Sequence, residues 1–529
     1  MFITYLNLIV FLFGLLCYFA DIQCVNDFRF EYSETIIERG SNMRKRFEQQ
    51  LVIGRLLIEE TEIPIAKRSG ALPGLCAALK EIFITPKWNG QVFEILEKAI
   101  LSGKKYTGRP GMDLWQIFVL SQVRLCQNIS YDELHDLANH HSLIRQIMGV
   151  ENGFGHERYQ INYQSIIDNV SLLSNETVKK LNGVIVEFSH EVFKKKEEAA
   201  LSLKTDSFVV ESNVHFPTDY NLLWDSARKS IDMITKLQEP YKLEGWRKID
   251  NWRSDLKNKM RALGRASASG GKGKQKRVKS AAHDYLKKAR ALYRKLEISK
   301  NNIPGEDVAN NVIIMELKRF MELLHKHLNL LERRVLKGED IPHSEKMFSI
   351  FEEYTEWVTK GKMRPNVELG KKVSITTDQF NLIVDYQVME HQSDSEIVPD
   401  ICKRLAGKYL IFSWSFDKGY WNRNNKELLS ECVENLVLPK KGKCNKEEEQ
   451  EQSQVVFKRL RNKHSAVESN INELEHRGLN RCPDKGFHNF KRYIGLAVSA
   501  YNLRRIGAEL INRAVAEETK IKMGLKEAA

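Results

Sequence analysis

From Val52 to about Lys195 apolar residues recur at intervals of three and four, as in ALPGLCAALKEIF, QVFEILEKAIL and DLWQIFVLSQVRLC. That spacing lines one face of an α-helix and, with breaks between the runs, predicts a compact helical domain over 43–195. The texture then changes. KTDSFVVES (204–212) is rich in β-branched and aromatic residues and reads as a strand, and KKVSITTDQFNLIVDYQVME (371–390) reads as two strands joined by a turn around Asp378 to Asn381. A helix through SEIVPDICKRLAG, a strand YLIFSWSFD, a helix NNKELLSECV, a strand ENLVLP and a long helix from about Lys463 complete the order. This succession predicts a mixed α/β sheet covered by helices, built from 196–237 and 368–520.

Between the first strand and the paired strands lies a helical stretch, 238–367. Two seams of apolar residues alternate at four and three on either side of NNIPGED. They are Val278, Ala282, Tyr285, Ala289, Leu292 and Leu296, then Ile314, Leu317, Met321, Leu324, Leu328, Leu331 and Val335. Such seams bury against another helix, so an antiparallel hairpin is the simplest reading and an intermolecular coiled coil its rival. GRASASGGKGKQKR (264–277) reads as a flexible linker.

Charge narrows the picture. The chain has 529 residues, enough for about two to four domains, with 82 Lys and Arg against 69 Asp and Glu, a formal charge of +13. Residues 242–297 hold 18 of those cations and five acids, which equals the excess of the whole chain. A concentration of this kind favours contact with DNA phosphates, through Lys272, Lys274, Lys276 and Arg277 among others. In SGKKYTGRPGM (102–112), Lys104, Lys105 and Arg109 precede a helix starting near Asp113. That segment suits DNA contact or a helical dimerisation surface equally.

The eight cysteines show no CxxC pair and no zinc spacing, which fits a reducing compartment and gives no thiol chemistry. Residues 2–20 carry no charge and are long enough to span a bilayer. No Lys or Arg precedes them, however, and MRKRFEQQL from Met43 reads as an ordinary cytoplasmic start. Residues 1–42 are therefore read as spurious upstream translation or a truncated neighbouring frame, with no membrane partner expected and a cytoplasmic, nucleoid-associated protein following.

Three carboxylates stand out by context: Asp206 within a predicted strand, Asp417 at the end of another, and Glu468 on a helix. Around them, DSFVVESNVHFPTD, SFDKGY and HSAVESNINELEHRGLNRCPD with FKRY resemble the DDE transposases of bacterial insertion sequences, especially the group with a long helical insertion. The resemblance covers nearly everything after Met43. It implies a ribonuclease-H-like catalytic domain with the first Asp on the first strand, the second after the fourth, and the Glu on a later helix. It also implies that Asp206, Asp417 and Glu468 hold Mg²⁺ or Mn²⁺, two ions about 4 Å apart, for phosphoryl transfer on DNA.

The partners implied are terminal inverted repeats and target DNA, bound by a homodimer or larger assembly. Where many relatives place a Tyr and an Arg before the Glu, this chain has Arg461 and His464, and Glu475 stands where a basic residue is usual. Lys418 with Tyr420, Arg461, His464 and Arg481 with Lys485, Lys491 and Arg492 are candidates for DNA contact. Trp224, Trp246 and Trp252 read as core, or else as platforms for unpaired bases. The other nearby carboxylates, Asp219, Asp225, Glu211, Asp378, Asp394 and Glu396, read as caps, turn residues or solvated charges. A catalytically silent DNA-binding protein derived from a transposase is the alternative.

Overall fold

The computed structural model describes residues 57–64, 70–103, 111–150, 159–195, 199–304, 310–359 and 367–527. Apart from Gly111 these belong to one compact unit, Arg44–Gly103 with Met112–Ala529. Lys104, Lys105, Arg109 and the apolar stretch 2–20 lie outside the described residues. Among the described residues no helix is long and apolar enough to cross a membrane.

Helices α1 (Ala71–Ile84), α2 (Pro86–Ile100), α3 (Leu114–Gln127), α4 (Tyr131–His140), α5 (Ser142–Ile147), α6 (Tyr163–Val170) and α7 (Asn175–Val192) come first. Strand β1 (Leu201–Ser212) is followed by α8 (Asp219–Gln238), α9 (Ile249–Ala268), α10 (Lys274–Asn301) and α11 (Asn311–Leu331). Then come β2 (Glu356–Thr359), β3 (Val367–Thr377), β4 (Ile383–Val388), α12 (Val398–Ala406), β5 (Ile411–Phe416), α13 (Arg423–Cys432) and β6 (Asn435–Val437). The chain closes with α14 (Lys446–Ser453), α15 (Val455–Lys463), α16 (Ser465–Leu474), β7 (Arg481–Cys482) and α17 (Phe487–Glu527).

Local chemistry sets several helix starts. Pro86 opens α2, where its missing N–H would have had no partner, Ser130 and Glu133 cap α4 reciprocally, and Ser174 Oγ accepts from Thr177 N on α7. Helix α3 is buried from Leu114 to Cys126 with no solvent face, as the middle of a bundle requires. Its buried Arg124 forms a bidentate pair with Asp484, at 2.6 and 3.1 Å.

Helix α17 organises this bundle, packing along α1, α3 and α7. At its crossing with α1 the two backbones touch: a Cβ on Gly507 would lie 1.7 Å from the carbonyl oxygen of Gly74. The helices before β1 share one apolar core with α17 and with Phe208, Val210, Val373, Ile375 and Ile383 of the sheet.

The described strands form a mixed sheet with β1 at its centre. β3 runs antiparallel along one side of β1, and β5 runs parallel along the other, with β6 parallel outside it. The far edge of β3 is shared by β4 and β2, while β7 extends the β5 side beside Glu211 and Ser212. The α17 layer covers one face. Leu201, Leu203, Trp414 and Phe416 turn to the other, where they bury against α12 and α13.

Three sequence expectations change. The long helix from about Lys463 is instead α16, which follows α15 after a break at His464, then a kink at Gly478, whose φ of +107° favours glycine, and after β7 the separate helix α17. The linker 264–277 is largely helical: α9 runs to Ala268 and α10 begins at Lys274. Arg277 closes the remaining loop by donating to the carbonyls of Gly270 (2.7 Å) and Lys272 (3.0 Å). The seams on α10 and α11 are buried as read, yet within a larger core in which α11 packs chiefly on α8 and α10 chiefly on α9. That core includes Trp246, whose Nε1 donates to Ser299 Oγ at 2.8 Å, so it offers no platform for a base.

Candidate functional site

Alternation along β1 decides which side chains meet. Thr205 turns to the α12 side, where Trp414 Nε1 donates to its hydroxyl at 2.7 Å. Lys204, Asp206 and Phe208 turn to the opposite face, beneath α16 and α17. On β5 the parallel register sets Ser415 beside Lys204 and Phe416 beside Thr205. Asp417 follows Phe416, past the last paired residues, still extended at φ −75° and ψ 163°, and its charge reaches Asp206. Adjacent strands lie about 4.8 Å apart, so two carboxylates are neighbours on one face at the C-terminal end of β5.

Glu468 sits in the first turn of α16, whose Val467 and Ile471 are buried in the core. With Asp417 it lines a cavity of about 420 Å³ whose walls include Lys418, Arg461 and His464. Asp206 is mostly buried, and Ser207 N donates to its Oδ1 at 2.7 Å. Burial first, and then the charges of Asp417, Glu468 and Asp394, push its carboxyl up to about 7. Among the described residues no lysine or arginine is ion-paired with Asp206, Asp417 or Glu468.

The rival carboxylates are engaged elsewhere. Asp225 meets His215 and Arg228, Asp219 meets Arg334, and Glu396 caps Ser393. Asp378 is fully buried with His190 at 2.8 Å and accepts from the amides of Phe380 and Leu382, a turn role. Asp394 lies close to Asp206 but is held by Lys372 and by the Ser207 hydroxyl, each at 2.7 Å.

The candidate DNA-contacting residues separate into groups. Lys418, Arg461 and His464 line the carboxylate cavity. Lys272, Lys274 and Lys276 are exposed at the α9–α10 tip, where Arg277 braces the loop, and Arg481 is exposed on β7, donating to the carbonyl of Val214. Neither set lines that cavity. Tyr420 and Arg492 are buried, Arg492 donating to the carbonyl of Ser171, so neither is placed for DNA.

His464 Nδ1 is 3.0 Å from the Ser415 hydroxyl, and its buried Nε2 has no hydrogen-bond partner among the described residues. Burial lowers its pKa against the pull of Asp417 and Glu468. Sequence reasoning passed over Lys204 and Ser415. Strand alternation was the signal for both, since each stands two residues before an aspartate on the same face.

The chain matches no family model, and no curated protein or solved structure matches it.

Whether these residues suit a divalent cation can be judged from their chemistry. Among the described residues no group of three or more His, Cys, Asp or Glu side chains is arranged to hold a metal ion. Asp206, Asp417 and Glu468 carry hard oxygen donors, the donor type that suits a cation of the magnesium class, and none is ion-paired with Lys418 or Arg461, which line the same cavity as Asp417 and Glu468.

That misfit of charge has a measurable consequence. Below about pH 4 Asp206 is protonated whether the chain is folded or not, and burial carries no penalty. Between about 4 and 7 only the folded chain keeps the proton, so stability falls as pH rises, and above about 7 the penalty is complete. Asp206→Asn is expected to be more stable than wild type by on the order of 2–4 kcal/mol at pH 8 and to lose that advantage near pH 4. Magnesium at pH 8 should raise the unfolding midpoint of wild type more than that of the variant. Urea titrations at the two pH values read this directly, and equal stability at pH 8 would contradict it.

Proposed function

We propose that the protein is a DDE-type DNA transposase that cuts the ends of an insertion sequence and joins them to target DNA. One observation carries the reading. Setting aside the four-residue edge strand β2, Asp206 lies on the first strand, Asp417 directly after the fourth and Glu468 on a later helix. This is the placement that the resemblance implies for a ribonuclease-H-like domain, and none of the three carboxylates is ion-paired with a lysine or arginine among the described residues.

In this reading Asp206, Asp417 and Glu468 hold the divalent ions. Such ions supply charge stabilisation at the attacking and leaving oxygens of a phosphodiester. The chain's own cations orient the substrate: Lys418 and Arg461, exposed beside the carboxylates, suit phosphates on either side of the bond. Lys272, Lys274 and Lys276 at the α9–α10 tip suit more distant backbone contact, which adds affinity without sequence preference. Pairing two DNA ends calls for at least a homodimer.

The excess charge of 242–297 favours a second reading, a catalytically silent DNA-binding protein, which leaves the carboxylates without a role. DNA carrying the ends of the element that surrounds the gene separates the two. Cleavage that requires magnesium or manganese and stops with a chelator supports the transposase. Tight binding with no cleavage under any divalent ion supports the silent protein.

A further inference from the structure

A second cavity, of about 430 Å³, opens on the same sheet face and shares Val437 and Ser465 with the carboxylate cavity. Its character is the reverse of its neighbour's. Lys204, Arg459 and Lys463 line it, and its walls hold no Asp or Glu. Lys204 is 8% exposed, and its Nζ donates to the carbonyl of Asp378 at 3.0 Å, while the carboxylate of that aspartate, whose charge also reaches Lys204, is engaged by His190 at 2.8 Å. Phe412 and Leu460 give the cavity an apolar wall, and Gln379 and Asn381 put amide groups at its edge.

We propose that this cavity receives a single unpaired nucleotide of the DNA being cut, adjacent to the phosphate held at the carboxylates; the inference rests on the transposase reading. Its volume falls in the range of about 300–1,000 Å³ usual for small-ligand pockets, so one nucleotide fits and a base pair within a duplex does not. A nucleotide has both chemistries that the lining offers. Its base presents an apolar face to Phe412 and Leu460 with hydrogen-bonding edges for Gln379 and Asn381, and its phosphate meets the cations. The shared wall sets the cationic and acidic cavities one beside the other, as a chain of successive phosphodiesters requires. The strand therefore leaves its partner here, at a frayed or distorted end, and the pocket favours ends that open readily.

Photocrosslinking tests this on the full chain without divalent ions, so that cleavage plays no part. Short DNA carrying 5-iodouracil in a single-stranded end is irradiated with the protein, and the adducts are located by mass spectrometry. The expected adduct lies on Phe412 and falls about tenfold when the same base is paired within a duplex. Ala466→Phe, which fills the cavity, and Lys463→Glu, which reverses charge at an exposed position, should each lower it about tenfold while far-ultraviolet circular dichroism stays unchanged. DNA binding that persists with adducts only elsewhere, such as at 272–277, overturns the pocket and leaves the transposase reading intact. Absence of any DNA binding overturns both.

Discussion

On the proposed transposase reading, Asp417→Asn is expected to bind DNA within about twofold of wild type and to cut it about 10³-fold more slowly, since loss of a charged metal ligand would remove on the order of 4 kcal/mol of transition-state stabilisation. Asp417 is exposed at the end of β5 and makes none of the core contacts of Phe416, so the amide leaves the fold as it is. Removing one negative charge beside Lys418 and Arg461 does not weaken attraction for a polyanion. Binding and cutting should therefore separate in this variant. Asp394→Asn is the informative control, because Asp394 is already neutralised by Lys372 and bonded by Ser207; its effect on cleavage should stay within about tenfold. Comparable cleavage by Asp417→Asn and wild type would remove the carboxylates from the mechanism.

Gly507→Ala is expected to prevent stable folding. A methyl group there would meet Gly74 O at 1.7 Å and Gly74 C at 2.2 Å, and both are backbone atoms that no rotamer change can move aside. Overpacking a core generally costs about 1–3 kcal/mol, and a clash between two helix backbones lies above that range. The gain of about 1 kcal/mol from replacing a helical glycine by alanine is too small to offset it. Against a total stability of about 5–15 kcal/mol, loss of soluble protein or a much lower urea midpoint follows. Gly90→Ala, on α2 with nothing within 4 Å of the added carbon, should be neutral or slightly stabilising. Unaltered stability of Gly507→Ala would mean that α1 and α17 do not cross as described.

The strands that carry the site were legible because their residues argue locally. β1, β3, β4 and β5 are runs of β-branched and aromatic side chains, and Asp378, whose carboxylate accepts from the amides of Phe380 and Leu382, marks the turn between two of them. Alternation also separates Asp206 from Thr205 without a structure. What escaped depended on partners remote in sequence. β2 and β7 are four and two residues long and exist only because β3 and β1 offer free edges. The break at Gly478 is set by packing of Asn128 and Tyr493 around that glycine. The approach of Asp394 to Asp206 depends on Lys372 across the sheet, which no spacing reveals. Lys491 and Arg492 read as phosphate contacts on charge alone; in the fold they bind Glu390 and the Ser171 carbonyl.

The seat of α1 against α17 also sets a schedule for synthesis. Roughly 430 residues separate Gly74 from Gly507, which at about 5–20 residues per second is a wait of about 20–90 s. For most of that interval α1, α3 and α7 are made without the helix that covers their inner faces. Helices made early are thus among the last parts to be completed, and in the meantime they present the apolar surface on which chaperones act and through which nascent chains aggregate.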